Sequence, residues 1–219
     1  MASNSTCGSP PRSAAALIHR TSVGTLTRTG PLQHLAEDLT RLPEGVQVVP
    51  KPFTAMITLR VDPAGPVAAD VAAHLGVELP TTPSTWVETD TVRVIWLGPD
   101  EWLVTSPFRT PCELEAGLRD AVAGRGAVVD VSGQRTTLWL TGEHIRDVLA
   151  GGCSVDLHPR VFRRGAAVQT LLGLAPVVLL ALDDSATGYH VLVRSSFTSY
   201  LVSWLLDAAV EHSDPPAAG

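Results

Sequence analysis

The chain has 219 residues, of which 45% are hydrophobic and 17% charged, and its formal net charge at pH 7 is −6. This composition predicts a packed core and excludes global disorder, and the length allows one large or two small domains. The negative charge argues against a nucleic-acid-binding protein, which needs a basic face. No window approaches about 18 consecutive apolar residues, so we expect no membrane-spanning helix.

The first 49 residues differ in composition from the rest. Residues 1–30 are rich in Ser, Thr, Gly, Ala and Pro, which predicts a disordered N-terminal segment. Their apolar run AAALI is too short for a signal peptide, and we expect a cytoplasmic protein. Residues 31–49 carry Leu32, Leu35 and Leu39 at helical spacing, which predicts a short docking helix and a linker. Its apolar stripe would suit this chain's own domain or a partner equally well.

Residues 50–132 alternate between strand and helix patterns. Pro66 near a first turn and Gly76 after a last turn predict the bounds of one helix. Gly98, Pro99 and Asp100 predict a turn between two strands. The predicted strands are 54–61, 91–97, 102–105 and 127–131, and the predicted helices are 66–75 and 111–122.

Residues 133–212 repeat the alternation. Gly151 and Gly152 predict the end of one helix, and Ser196 is a suitable N-cap for the last one. The predicted strands are 136–140, 167–172, 177–182 and 189–193, and the predicted helices are 142–150 and 196–210.

The order of elements is β-α-β-β-α-β followed by β-α-β-β-β-α. It predicts an α+β fold in which antiparallel sheets are covered by helices. The two halves, about 50–132 and 133–212, resemble duplicated β-α-β-β-α units that share one core. We therefore predict a single pseudo-duplicated domain over 50–212 and a flexible tail over 213–219.

Cys153, Asp156 and His158 lie within six residues in one predicted loop. A metal site would need three or four ligands at fixed spacing, and no fourth ligand is evident. A nucleophilic Cys153 would need a positioned base, which a sequence does not show. The favoured interpretation is a tight loop in which Asp156 and His158 bond to the backbone, with metal and thiol chemistry as alternatives.

Five arginines are candidates for binding an anion. Arg160, Arg163 and Arg164 form a basic cluster that would receive an anion or an acidic partner surface, or simply be a solvated loop. Arg135 and Arg194 flank strand ends, where either could anchor a partner carboxylate.

Catalytic patterns are missing from the sequence. Asp100 and Glu101 are adjacent carboxylates in an extended turn and point apart, so they do not form a general acid–base pair. There is no GxGxxG before a helix and no GxxxxGK[ST]. From the residues alone, we predict a soluble α+β domain with no catalytic, cofactor-binding or metal-binding residues.

Six stretches together resemble one family. The stretches are LPTTPST (79–85), WLGPDEWLV (96–104), VDVSGQRTTLWLTG (129–142), GCSVDLHPRVF (152–162), GAAVQTLLG (165–173) and YHVLVRSSFTSYLVSWLLDA (189–208). In combination they are similar to the gamma subunit of heterotetrameric sarcosine oxidase, over about residues 31–210.

This resemblance implies a subunit of an alpha-beta-gamma-delta complex that oxidises sarcosine to glycine with oxygen and gives hydrogen peroxide. The methyl group would leave as formaldehyde or as 5,10-methylenetetrahydrofolate. In that family FAD, covalent FMN and the NAD site belong to the alpha and beta subunits, and zinc belongs to delta. The resemblance therefore implies a structural, non-catalytic chain.

A second resemblance concerns the fold. The pattern is similar to the folate-binding core of the glycine-cleavage T-protein, or aminomethyltransferase, family. That family places the Asp of its folate chemistry shortly after a Gly that matches Gly173, where this chain reads GLAPVV. Asp183 and Asp184 come too late, which implies the fold without aminomethyl transfer. The matching residues are Asp130, Ser132, Gly142, Leu149, Asp156, Gly165, Gln169 and Thr170.

Two other functions stay open. One is an independent folate-binding aminomethyltransferase-like protein, which the fold favours and the missing acid opposes. The other is an interaction module of another pathway. A permanently docked subunit should expose an apolar patch of several hundred Å². We place that patch near residues 86–102 or 30–50.

Overall fold

The computed structural model describes residues 29–213. The predictions for residues 1–28 and 214–219 lie outside this range. Ten strands and five α-helices are found within it, and none of these helices is long and apolar enough to cross a membrane. The strands are β1 (Gln47–Lys51), β2 (Ala55–Arg60), β3 (Trp86–Glu88), β4 (Arg93–Gly98), β5 (Glu101–Ser106), β6 (Ala127–Asp130), β7 (Arg135–Thr141), β8 (Ala167–Leu172), β9 (Ala175–Ala181) and β10 (Gly188–Arg194). The helices are α1 (Ala36–Leu39), α2 (Pro66–Leu75), α3 (Pro111–Val122), α4 (Ile145–Ala150) and α5 (Thr198–Ala209).

The strands form two five-stranded antiparallel sheets with the same internal order. The N-terminal sheet runs β6-β2-β5-β4-β3, and the C-terminal sheet runs β1-β7-β10-β9-β8. The unit β2-α2-β3-β4-β5-α3 therefore matches the unit β7-α4-β8-β9-β10-α5 element by element. The predicted α+β class with antiparallel sheets and helices is confirmed. The C-terminal unit has the predicted order β-α-β-β-β-α, whereas the N-terminal unit has one strand more than predicted, β3. Each sheet also contains an additional edge strand, β6 or β1.

Three layers of apolar side chains hold these elements together. Because side chains alternate along each strand, one face of each sheet packs on its helices and the other face lies toward the opposite sheet. One buried cluster packs the N-terminal sheet on α2 and α3, and another packs the C-terminal sheet on α4 and α5. The inter-sheet cluster lies between the sheets and contains Met56, Trp86, Ile95, Leu103, Ala167, Val178, Leu180 and Leu192.

The segment before the first predicted strand docks on its own chain. Leu32 is buried, and Leu35 and Leu39 pack beside it on the C-terminal sheet's helix-side cluster. The helix itself is shorter than predicted, with a 3-10 turn at Gln33–Leu35 before the four residues of α1. Of the two alternatives for this apolar stripe, the structure therefore shows the intramolecular one.

The predicted positions of an exposed apolar patch, near residues 86–102 or 30–50, are wrong, because neither range contains an exposed large hydrophobic side chain. Trp86 is 5% exposed and Trp102 is fully buried, because both rings lie within apolar clusters. Large apolar side chains are exposed elsewhere, among them Leu171 and Leu174 on the β8–β9 hairpin and Val161 in the loop before β8.

Candidate functional site

A cleft of about 290 Å³ opens between the two sheets. It adjoins the inter-sheet cluster, with which it shares Ile95 and Leu192. Its polar lining comes from β1, β3, β4, β5, β7, β10, the turn after β3 and the segment between β1 and β2. These polar residues are Lys51, Thr54, Glu88, Thr89, Asp90, Thr91, Arg93, Thr105, Thr137 and His190.

Arg93 and His190 face each other across the cleft. The guanidinium Nη1 of Arg93 lies 2.5 Å from Nδ1 of His190, although the residues are 97 positions apart. Arginine can only donate, so His190 Nδ1 accepts and the ring proton is assigned to Nε2. Burial, together with the positive charges of Arg93 and Lys51, lowers the pKa of His190 to about 3. The imidazole is therefore neutral at physiological pH.

The charge of Arg93 is balanced within the cleft. Glu88 Oε2 accepts from Arg93 Nε at 3.2 Å and from Nη2 at 2.7 Å, while Glu88 Oε1 accepts from Arg164 at 3.0 Å. The guanidinium also lies 4.4 Å from the ring centroid of Trp86, at cation–π distance. These contacts fix Arg93 rather than leaving it available for chemistry.

The cleft can bind a polar group but contains no acid–base pair. A general base works best with a pKa near the operating pH, and that of His190 lies far below it. His190 Nδ1 is also committed to Arg93. No group of three or more metal-ligating His, Cys, Asp or Glu side chains occurs within residues 29–213.

We expect the His190→Asn variant to lose less free energy of unfolding in acid than the wild-type protein. The unfolded histidine titrates near pH 6.5, whereas the folded one stays neutral down to about pH 3. Between these values the unfolded chain binds more protons, so the wild-type protein loses stability as pH falls. Urea unfolding at pH 7 and pH 4.5 measures this loss, which should be smaller in the variant. The control is His34→Gln, at an exposed position, which should lose as much free energy of unfolding between pH 7 and pH 4.5 as the wild type. Equal losses in all three proteins would contradict the low pKa of His190.

The predicted Cys153, Asp156 and His158 loop is held by backbone contacts. Asp156 Oδ1 accepts from His158 N at 2.8 Å, and His158 Nδ1 accepts from Arg160 N at 3.1 Å. Cys153 is a partly buried free thiol beside the apolar cluster of the C-terminal sheet. No contact joins the side chains of these three residues, so the geometry favours the structural interpretation of this loop.

The nearby arginines have different surroundings. Arg164 binds Glu88, and its backbone N–H donates to Asp184 at 3.2 Å. Arg163 donates to the carbonyl of Arg160 at 3.2–3.3 Å and has no carboxylate partner in residues 29–213. The basic cluster is thus partly neutralised, with both Arg160 and Arg163 exposed.

The carboxylates singled out in the sequence have structural partners. Asp100 accepts two hydrogen bonds from Arg60, at 3.0 and 2.9 Å. Asp130 Oδ1 accepts from the backbone and hydroxyl of Ser132, whose Oγ accepts from Met56 N at 2.9 Å. These last contacts join the end of β6 to β2.

The segment after Gly173, where the aminomethyltransferase resemblance would place an acid, is a surface turn. The β8–β9 hairpin turns at Gly173, whose φ is +57°, and the next side chain, Leu174, is 74% exposed. Asp183 is used in the β9–β10 turn, where its Oδ1 accepts from the backbone of Ser185 and Thr187. Neither Asp183 nor Asp184 substitutes for an acid at the β8–β9 position.

The chain is similar to sarcosine oxidase gamma subunits. The family described as sarcosine oxidase, gamma subunit family, matches residues 60–211. The sarcosine oxidase subunit gamma of Corynebacterium sp. (strain P-1) is 34% identical over 207 residues, covering 92% of this chain and 98% of the relative. The subunit gamma of an Arthrobacter sp. is 34% identical over 206 residues, with the same coverage of both chains.

Solved structures show the same likeness. A chain of the heterotetrameric sarcosine oxidase from Corynebacterium sp. U-96, in complex with pyrrole 2-carboxylate, superposes with a TM-score of 0.80 at 34% identity. The match covers 87% of this chain and 99% of that chain. The glycine cleavage system aminomethyltransferase T from Bartonella henselae shares the fold, with a TM-score of 0.54 at 12% identity. That match covers 78% of this chain and 48% of the aminomethyltransferase.

Proposed function

The chain belongs to the sarcosine oxidase gamma subunit family, and we propose that it is the non-catalytic, structural subunit of a heterotetrameric sarcosine oxidase. The observation that carries this proposal is the end-to-end match to subunit gamma of Corynebacterium sp. (strain P-1), which covers 92% of this chain and 98% of the relative. A shared module within otherwise different proteins would cover only part of each. The likeness therefore concerns the whole subunit and supports the same place in an oligomer.

The chemistry of the cleft supports the non-catalytic part of the proposal. Its histidine has a pKa of about 3 and a committed Nδ1, so it is poorly suited to accept a proton from a substrate at neutral pH. Of the other carboxylates, Asp100 binds Arg60, and Asp130 and Asp183 bind backbone groups. The Cys153 loop is held by backbone contacts and packs on the core. What the fold offers to a complex is a rigid two-sheet body with exposed apolar and basic side chains.

The oxidation of sarcosine would then take place in the other subunits. We assign FAD, FMN and NAD to partner subunits of the alpha and beta type, zinc to a delta-type partner, and tetrahydrofolate to the assembled complex. The reaction would convert sarcosine and oxygen to glycine and hydrogen peroxide, with formaldehyde or 5,10-methylenetetrahydrofolate as the one-carbon product. The complex would lie in the cytoplasm.

Native mass spectrometry of the tagged chain, purified from its own cells, tests this function. We expect one complex containing this chain and three other subunits, with flavin bound to those subunits. The isolated chain, produced alone, should carry no flavin and show no oxidation of sarcosine. A chain that purifies alone from cells expressing the large subunits, or that oxidises sarcosine by itself, would contradict the proposal.

The aminomethyltransferase alternative has a separate test. The shared fold favours it, whereas the segment after Gly173 reads Leu-Ala-Pro and lacks the acid that the folate chemistry would need. Titration of the isolated chain with tetrahydrofolate, followed by calorimetry, should give no saturable heat. Saturable binding would revive an independent folate function.

A further inference from the structure

Arg135 and Arg194 lie directly opposite each other on neighbouring strands. The register of β7 and β10 pairs these two residues. Arg194 shares its strand face with Leu192, which belongs to the inter-sheet cluster, because side chains alternate along a strand. Both arginines line a groove of about 430 Å³ at the edge of this layer. The groove is completed by Ser154, Gln169, Thr170, Leu171, Pro176, Val177 and Val178.

The two guanidinium groups have no carboxylate partner among residues 29–213. No ion pair or side-chain hydrogen bond of the described chain includes either group, although exposed arginines elsewhere pair with Asp or Glu. Burial lowers the pKa of Arg135, and the positive charge of Arg194 lowers it further, against a weaker opposing effect of Glu101. Arginine nevertheless stays charged at physiological pH.

This arrangement is unfavourable in an unliganded chain. Like charges directly opposite each other on adjacent strands are destabilising. Arg135 is also only partly exposed, so water screens its charge incompletely. An anion placed between the two groups would remove the repulsion and supply the missing hydrogen-bond acceptors. Paired guanidinium groups match the two oxygens of a carboxylate in geometry as well as charge.

We propose that this groove is a carboxylate-binding site in which Arg135 and Arg194 hold one carboxylate between them. Pro176, Val177 and Leu171 line the groove beside them, so the ligand has an apolar part next to its carboxylate. The carboxylate belongs either to a partner subunit or to a free organic acid. Binding of a partner subunit's carboxylate rests on the proposed function, whereas binding of a free organic acid does not.

The first arm of the test uses the isolated chain and succinate. Thermal unfolding is compared in sodium succinate and in sodium chloride at equal ionic strength, for wild type and for Arg135→Gln/Arg194→Gln. The matched control is Arg41→Gln/Arg125→Gln, which removes two exposed arginines from other surfaces. A free-acid site predicts a rise in the melting temperature of wild type and control and none in the groove variant.

The single variant Arg194→Gln separates binding from a structural role. In chloride, Arg194→Gln should be at least as stable as wild type, because the substitution removes a like-charge contact. If Arg194 instead had a structural role, its replacement would lower the stability of the protein.

The second arm uses assembly with the other subunits of the complex. If a partner supplies the carboxylate, the groove variant should bind the partner subunits at least about tenfold more weakly than the control variant. Unchanged assembly together with no succinate-specific rise in wild type would overturn the site. If wild type and control both fail to assemble, the proposed function is wrong, and the succinate arm alone decides the site.

Discussion

Replacing Gly142 by Ala is expected to lower the free energy of unfolding by about 3 kcal/mol or more. The φ of Gly142 is +129°, a region that residues with a side chain rarely adopt. A Cβ atom there would overlap the Gly45 carbonyl group, lying 2.5 Å from its carbon atom. This backbone cannot easily retreat, because the Gly45 carbonyl accepts from His144 N at 3.1 Å and Gly142 N donates to Thr187 O at 3.0 Å.

Urea unfolding at pH 7, followed by circular dichroism, measures the effect. Gly133→Ala is the matched control, since a Cβ at Gly133 would meet nothing within 4 Å. We expect the control to change the free energy of unfolding by no more than about 0.5 kcal/mol. If Gly142→Ala unfolds at the same urea midpoint as the wild type, the backbone around Gly45 moves to accommodate the Cβ atom without loss of stability, which would contradict the prediction.

Elements with signals inside their own sequence could be predicted closely. Helix α3 occupies the predicted 111–122, because Thr110 and Glu113 form a reciprocal capping box at its start. Helix α2 likewise occupies the predicted 66–75, with Pro66 in its first turn and Gly76 at a φ of +73° after its end. In both helices the determining contacts span only a few residues.

Two strands, β1 and β3, are missing from the prediction for different reasons. β1 pairs with β7, about ninety positions along the chain, and contains Pro50, which a strand tolerates at a sheet edge. β3 has three residues and follows a loop with two prolines. Neither segment has enough alternation of its own to reveal a strand, so the predicted N-terminal half lacked β3 and the C-terminal sheet lacked its edge strand β1.

The binding features also divide into those with a local sequence signal and those that depend on contacts between distant residues. Arg135 and Arg194 could each be predicted as a carboxylate anchor from their position at strand ends, but their direct pairing requires the β7–β10 register. Arg93 and His190 could not be predicted together, because they lie on strands of different sheets. A titratable His inside the apolar run YHVLV was the one local signal for this cleft.

Trp86→Ala is expected to lower the free energy of unfolding by about 3–5 kcal/mol. Trp86 belongs to the N-terminal sheet, yet its indole Nε1 donates to the Ala181 carbonyl of the C-terminal sheet at 3.2 Å. Its ring is 5% exposed within the inter-sheet cluster, and the Arg93 guanidinium lies on it. Truncation would therefore leave a cavity where the two duplicated units meet and remove a hydrogen bond between them.

Trp86→Phe separates these contributions, because it retains a ring but loses the indole N–H, and should cost about 1–2 kcal/mol. Trp96→Phe is the control, since Trp96 is only partly buried and its indole has no hydrogen bond within the described chain; its cost should stay below about 1 kcal/mol. All variants are compared by urea unfolding followed by circular dichroism. Because the two sheets share the inter-sheet cluster, we expect Trp86→Ala to shift one cooperative transition. Two separate transitions in the wild-type protein would show that the units unfold independently, and would contradict a stabilising role for Trp86 between them.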